Sequence, residues 1–328
     1  MKIKPIIIVS GEPYGVFLEI FFKTLNNKKI KTYKTPILII ASYDLLLKQM
    51  QKLKYSFKIK LIDDKFFNLN KLNNKNINLI NVNFNCNKTF DKISSKSNHY
   101  IAQCFNLGLK LMKEHKGCAL INGPISKKHF LKKKFPGITE YLASKTGHTG
   151  KEVMLIYNNN LSVSPLTTHL PLKNIFKKIT IKRIIKQVIT INKFYKKFLN
   201  KIPKIAITGL NPHCESIKDK NEEKKIINPA IKLLSKKKIK IFGPFAADTL
   251  FIEKNVKKFD VIIGMYHDQV LTPIKTLYEF KAINITLGLP FIRISPDHGP
   301  NNQMLGQNKS DPTSLQEALK FVNKIRVN

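Results

Sequence analysis

The chain has 328 residues, 43% of them hydrophobic, enough to fill one large or two ordinary domain cores and too much for a disordered polymer. Its 58 basic against 21 acidic residues give a formal charge of +37, but the excess is mostly lysine, Trp is absent, and the runs Lys132-Lys133-Lys134 and Lys236-Lys237-Lys238 carry no interleaved aromatics. The charge therefore reads as a solvated surface that draws anionic substrates, with no zinc-finger, basic-zipper or RNA-stacking motif to make it a nucleic-acid footprint.

Short apolar runs rich in Ile and Val alternate with longer amphipathic segments, the pattern of an α/β protein with largely parallel sheets. In chain order, strands are expected over 5–10, 36–41 and 77–82, the last within an Asn-rich, loop-rich stretch over 68–87. A helix over 98–114 leads to a strand over 118–121, and strands over 152–157 and 161–167 precede a helix over 181–199. Then come a strand over 204–208, a helix over 222–236, strands over 239–242, 261–265 and 282–286, and a closing helix over 312–322. Cys86, Cys104, Cys118 and Cys214 show neither CxxC spacing nor a dense disulfide framework, and no apolar run reaches the roughly 20 residues of a membrane span, so a cytoplasmic protein with reduced thiols and no membrane partner is expected.

Polar, turn-forming residues follow several of these strands at once. The strand over 118–121 runs into Asn122-Gly123-Pro124, that over 161–167 into Thr168-His169-Leu170-Pro171, that over 204–208 into Asn211-Pro212-His213, and that over 261–265 into Tyr266-His267-Asp268. Ligands of open α/β sheets bind outside the carboxyl ends of the strands, where loops converge and helix N-termini offer free N–H groups. Neutral imidazoles suit a divalent transition metal, and three of them leave positions open for substrate. Spacing alone does not bring His169, His213 and His267 together, and a hydrogen-bonded loop role stays open for each. The chain carries no Gly-x-Gly-x-x-Gly fingerprint and no Walker loop, so no motif of its own announces a nucleotide.

The segments Thr167-Thr168-His169-Leu170-Pro171-Leu172, Gly209-Leu210-Asn211-Pro212-His213, Ala247-Asp248-Thr249-Leu250-Phe251 and Met265-Tyr266-His267-Asp268-Gln269 resemble, in order, signatures of the 4-hydroxythreonine-4-phosphate dehydrogenase family. Asn284-Ile285-Thr286-Leu287-Gly288-Leu289-Pro290-Phe291-Ile292-Arg293 and Asp297-His298-Gly299 continue the series, and Asn122-Gly123-Pro124 with Lys127 and Pro136-Gly137 with Thr139-Glu140 fit it too. The resemblance implies two α/β/α lobes with a cleft between them, similar to the isocitrate and isopropylmalate dehydrogenases, with residues 1–134 and 288–328 in one lobe and 135–287 in the other. It implies a divalent metal (Zn, Mg or Co) on His169, His213 and His267, and substrate held by Thr139, Lys275, Asn284 and Arg293. Lys275 and Asp248 would serve the chemistry, Asp248 by orienting a ligand histidine or bound water; His298 and Gly299 would lie by NAD. The implied reaction is NAD-dependent oxidation of 4-phosphooxy-L-threonine at its 3-hydroxyl and decarboxylation to 3-amino-2-oxopropyl phosphate, in pyridoxal phosphate (vitamin B6) synthesis. A homodimer sharing its active sites is implied as well, with His267 supplied by the partner of the chain that gives His169 and His213.

Three departures from the family pattern stand in ligand-facing loops. Phe17-Leu18 occupy the place of Gly-Pro in the opening loop, Ile138 stands where the family has a substrate-contacting histidine, and Pro300-Asn301-Asn302-Gln303-Met304-Leu305-Gly306 replaces small and acidic residues. These allow an alternative substrate, a phosphorylated threonate or erythronate. A reading of a different class, a basic nucleic-acid-associated protein, would require the lysines on one face.

Overall fold

The computed structural model describes every residue except 1–2, 66–67, 70–71, 133, 216–220, 297 and 326–328, so Lys133 and Asp297 lie outside the described residues. In chain order the elements are β1 (Ile6–Val9), α1 (Phe17–Asn26), α2 (Lys28–Lys31), β2 (Ile37–Ala41), α3 (Tyr43–Lys52), β3 (Ile59–Leu61), β4 (Ile77–Asn81), α4 (Asn98–Lys113), β5 (Ala119–Asn122) and α5 (Ile138–Lys145). They continue with β6 (Val153–Tyr157), β7 (Ser162–Pro165), α6 (Ile181–Leu199), β8 (Ile205–Thr208), α7 (Asn228–Lys236), β9 (Ile241–Phe245), α8 (Ala247–Leu250) and α9 (Glu253–Val256). β10 (Val261–Gly264), α10 (His267–Tyr278), β11 (Ile283–Leu287), β12 (Ile292–Ser295) and α11 (Thr313–Lys324) complete the chain. Two compact units result, residues 1–151 with 289–328 and residues 152–288.

The first unit is built on parallel strands in the order β3-β4-β2-β1-β5-β12. Ile8 of β1 sits between Ile39 of β2 and Ile121 of β5, and all four residues of β1 are buried. That explains its unbroken apolar sequence, since a strand covered on both faces needs no polar alternation. Each such side chain contributes about 1.5–3 kcal/mol by leaving water. Beyond the strand ends the backbones touch: a Cβ on Gly11 (φ 75°) would stand 2.4 Å from the Pro124 carbonyl oxygen, and one on Gly123 2.2 Å from that of Ser10. Only glycine fits such an approach. Residues 135–151, assigned from sequence to the second lobe, pack in this unit. Tyr141 and Leu142 of α5 join its core, and Tyr141 meets Phe105, Phe130 and Phe135 edge-on at 6.0, 5.3 and 5.5 Å.

The second unit carries strands in the order β11-β6-β7-β10-β8-β9, with β6 antiparallel to both β11 and β7 and the rest parallel. Its longest helix, α6, starts where the Thr180 side chain accepts the Arg183 N–H (3.2 Å) and stops at Asn200, which takes a left-handed φ of 50°. Ile184, Val188, Ile191 and Tyr195 recur at three- and four-residue steps and form its buried stripe. No described helix is long and apolar enough to cross a membrane. The turns that leave β7, β8 and β10 bear the three histidines singled out by the sequence.

Candidate functional site

Past β7 the chain turns at Thr168-His169, with His169 exposed and in a left-handed conformation (φ 35°). Past β10, Tyr266 stays extended (φ −143°) and His267 opens α10. The two turns bring the His169 and His267 rings to 6.0 Å between centroids, 35° apart in plane. Both line an open cavity of about 200 Å³ together with Thr167, Thr168, Tyr266 and Asp268. The Asp268 carboxylate lies 2.6 Å from His267 Nδ1. A carboxylate accepts only from an N–H, so this contact puts the ring proton on Nδ1 and leaves the Nε2 lone pair for a cation.

His213 stands exposed on the turn Pro212–Cys214 after β8, again left-handed at φ 54°. Among the described residues of the single chain, no three His, Cys, Asp or Glu side chains converge as a metal group. One chain thus assembles two of the three expected imidazoles, with donor chemistry that fits a divalent transition cation. The pair it assembles includes His267, which the resemblance assigns to the partner. Asp248 is exposed and accepts the N–H of its neighbour Thr249 (2.8 Å), a local helix-start contact. The carboxylate found on a candidate ligand is Asp268, whose signal in the sequence was its place next to His267 within a quoted motif.

Glu223, which nothing in the sequence marked, is buried beside the His213 turn. Its Oε1 accepts the N–H groups of Leu210 (2.7 Å) and Asn211 (2.9 Å), and its Oε2 accepts from Asn211 Nδ2 (2.8 Å). Burial pushes its pKa up, but these donors outweigh burial and hold the carboxyl below its ordinary value.

Arg293, on β12, is wholly buried. Its Nε donates to Asn122 Oδ1 at 2.8 Å and its Nη1 to Thr139 Oγ1 at 3.1 Å. Burial lowers its pKa to about 10, with Glu140 opposing the fall. The sequence therefore paired Thr139 and Arg293 in role, and the structure pairs them in space. Beside Thr139, Ile138 turns its hydrocarbon onto the core containing Phe105 and Tyr141. In the second unit Lys275 is half-buried on α10, and Asn284 on β11 keeps its Oδ1 buried with no hydrogen-bond partner among the described residues. Such an orphaned acceptor is a place for a ligand donor.

His298 lies half-buried in the first unit, its ring stacked 6.2 Å from that of Phe17 and its Nδ1 3.0 Å from the Gly299 carbonyl oxygen. Gly299 is exposed, with open space where a Cβ would stand. Phe17 is wholly buried and its ring covers Gly123, the nearest ring atom 2.7 Å from where a Cβ on that glycine would be. Close by, Glu12 is 2% exposed. Neither of its carboxyl oxygens completes a well-formed hydrogen bond among the described residues. Burial raises its pKa to about 7, partly offset by the nearby Ser97 side chain and Ser126 backbone.

Comparison with known proteins agrees along the whole chain. The family described as pyridoxal phosphate biosynthetic protein PdxA matches residues 32–322. A 4-hydroxythreonine-4-phosphate dehydrogenase of Sulfurihydrogenibium sp. (strain YO3AOP1) is 39% identical over 319 residues, 96% of each chain. One from Wigglesworthia glossinidia brevipalpis is 35% identical over 326 residues, 97% of this chain and 95% of that one. The crystal structure of the Klebsiella pneumoniae 4-hydroxythreonine-4-phosphate dehydrogenase superposes with a TM-score of 0.84 at 26% identity, covering 97% of this chain and 98% of that one.

Proposed function

The chain belongs to the family of pyridoxal phosphate biosynthetic protein PdxA, and on that premise we propose that it oxidises 4-phosphooxy-L-threonine at the 3-hydroxyl with NAD and a divalent metal. Loss of carbon dioxide from the resulting 3-oxo acid leaves 3-amino-2-oxopropyl phosphate. The observation that carries this reading is the meeting of His169 and His267, at 6.0 Å, on one open cavity. When bound, NAD supplies the hydride acceptor, and the cation supplies the Lewis acidity that lowers the hydroxyl pKa and offsets the charge left by departing carbon dioxide.

The residues of this chain bind and orient. His169, His213 and His267 would hold the cation, the last with its tautomer set by Asp268. Arg293 offers a planar cation already stripped of water and aimed by Asn122 and Thr139, the geometry that suits a carboxylate or phosphate. Lys275 offers a second cationic anchor, and the orphaned Oδ1 of Asn284 an acceptor for a substrate ammonium or hydroxyl. His298 and Gly299 would border NAD. A cytoplasmic homodimer completes the reading: among the described residues one chain does not gather the third imidazole, and Leu172 (73% exposed) and Phe176 (52%) leave apolar surface on the segment after His169.

Purified protein supplied with 4-phosphooxy-threonine, NAD and a panel of Zn, Mg and Co should form NADH with at least one cation. Silence with all of them would reject the reaction. His169→Ala should lose metal retention and turnover together, and a dilution series should lose activity as monomers appear. Ile138, standing where the family has a substrate-contacting histidine, favours a second reading, a changed substrate such as a phosphorylated threonate or erythronate, which the same assay would reveal by faster turnover.

A further inference from the structure

The three strand ends that carry His169, His213 and His267 are tied to one another inside the second unit. Thr167 Oγ1, two residues before His169, donates to the Met265 carbonyl oxygen at 2.8 Å and joins the end of β7 to that of β10. Gln269 then spans β10 and β8. Its Oε1 accepts the Met265 N–H (2.7 Å) and the Thr208 hydroxyl (2.8 Å), and its Nε2 donates to the Gly209 carbonyl oxygen (2.8 Å). The amide has one orientation only, because an N–H must face the oxygen and a carbonyl must face the nitrogen. Glu223 extends the chain of contacts to Leu210 and Asn211, at the base of the His213 turn.

These ties matter because His169 and His213 both sit at positive φ, at 35° and 54°, conformations that persist in non-glycine residues only when neighbouring structure enforces them. Thr167 and Thr208 are fully or almost fully buried, so their hydroxyls have no competing water. The donors of a cation site, from whichever subunit each comes, must be held to a fraction of an ångström, and separate turns do not supply that by themselves. We propose that Gln269 is a positioning residue that locks the histidine-bearing ends of β8 and β10 into one register, which Thr167 extends to β7, with Thr208 as its essential partner. The inference rests on the reading of these histidines as metal ligands.

The test is a cobalt(II) titration of the full-length protein, followed by visible absorption, on wild type, His169→Ala, Gln269→Leu, Thr208→Val and Thr208→Ser. Gln269→Leu should weaken cobalt binding about tenfold to a hundredfold and change the absorption band shape, at unchanged far-ultraviolet circular dichroism. Thr208→Val should weaken it in the same direction, and Thr208→Ser, which restores the hydroxyl, should recover wild-type affinity. That rescue separates positioning from packing and stands if Gln269→Leu does not fold. Loss of cobalt in His169→Ala with wild-type affinity and spectrum in Gln269→Leu, or equal affinity in both Thr208 variants, overturns the positioning role while the metal reading stands. A wild-type protein that takes up no cobalt, or a His169→Ala variant that binds as well as wild type, overturns the metal reading and the positioning role with it.

Discussion

Arg293 is held wholly inside the first unit by Asn122 and Thr139, whereas His169 stands exposed on a turn of the second and opens onto a cavity. The first arrangement spends folding energy to dehydrate a charge and then recovers it through two charge-assisted hydrogen bonds. The second leaves its donors in water and fixes only the strand ends beneath them. The difference teaches where substitutions should be felt: stability resides with the buried anchor and its surroundings, and the imidazoles can be removed with little harm to the fold.

Arg293→Ala should give the largest stability loss, about 4 kcal/mol, because it empties a packed site and strands the groups that faced the guanidinium. Chemical denaturation measures it, and a loss below about 1 kcal/mol would erase the contrast between the regions. Glu12→Gln should come next and act in the opposite direction. Its folded pKa of about 7 lies above the ordinary 4.5, so the folded state holds the extra proton and the native chain loses stability as pH rises from 4.5 through 7. The amide cannot ionise, so the variant should gain up to about 3 kcal/mol over the native chain near about pH 8 and nothing near about pH 4. Parallel denaturation series at the two pH values would expose a flat difference, the result that contradicts a buried, underbonded acid. Thr139→Val, which removes one acceptor from Arg293, should cost about 1 kcal/mol. His169→Ala should change stability by less than about 0.5 kcal/mol while abolishing NADH formation, and a larger loss would mean that the turn bears on folding after all.

Most strands were legible because burial on both faces writes itself as runs such as Ile6–Val9 and Val261–Gly264. The expected helix over 181–199 coincides with α6, where a polar face alternates with the stripe of Ile184, Val188 and Ile191. α1 was not expected from the sequence: Phe17, Leu18, Ile20, Phe21 and Phe22 are all buried, and even the polar Glu19 lies inside the fold. α10 was hidden by Pro273 in its interior, a residue that propensity counts against a helix. β3 spans only three residues, with Ile59 and Lys60 half-buried and Leu61 exposed, and carries too little pattern to notice.

For the site, histidines at strand ends could be found because their position is an unusual use of polar residues after apolar runs. The carboxylate on His267 could not be weighed against Asp248 in sequence, since both stand in the first turn of a helix that follows a strand. In space Asp268 lies on His267, while Asp248 meets its neighbour Thr249. Glu223 and Glu12 were invisible for a different reason: an acidic residue in a lysine-rich chain looks like surface until burial is known.

The ring of Phe17 over Gly123 limits what position 17 can tolerate. A glycine at position 17 would open a hole the size of a phenyl group in a buried interior. Such a truncation costs about 3–5 kcal/mol, on a par with the loss expected for Arg293→Ala. Position 17 and the loop around His298 are thereby coupled: a smaller side chain at 17 would also remove the ring on which His298 stacks.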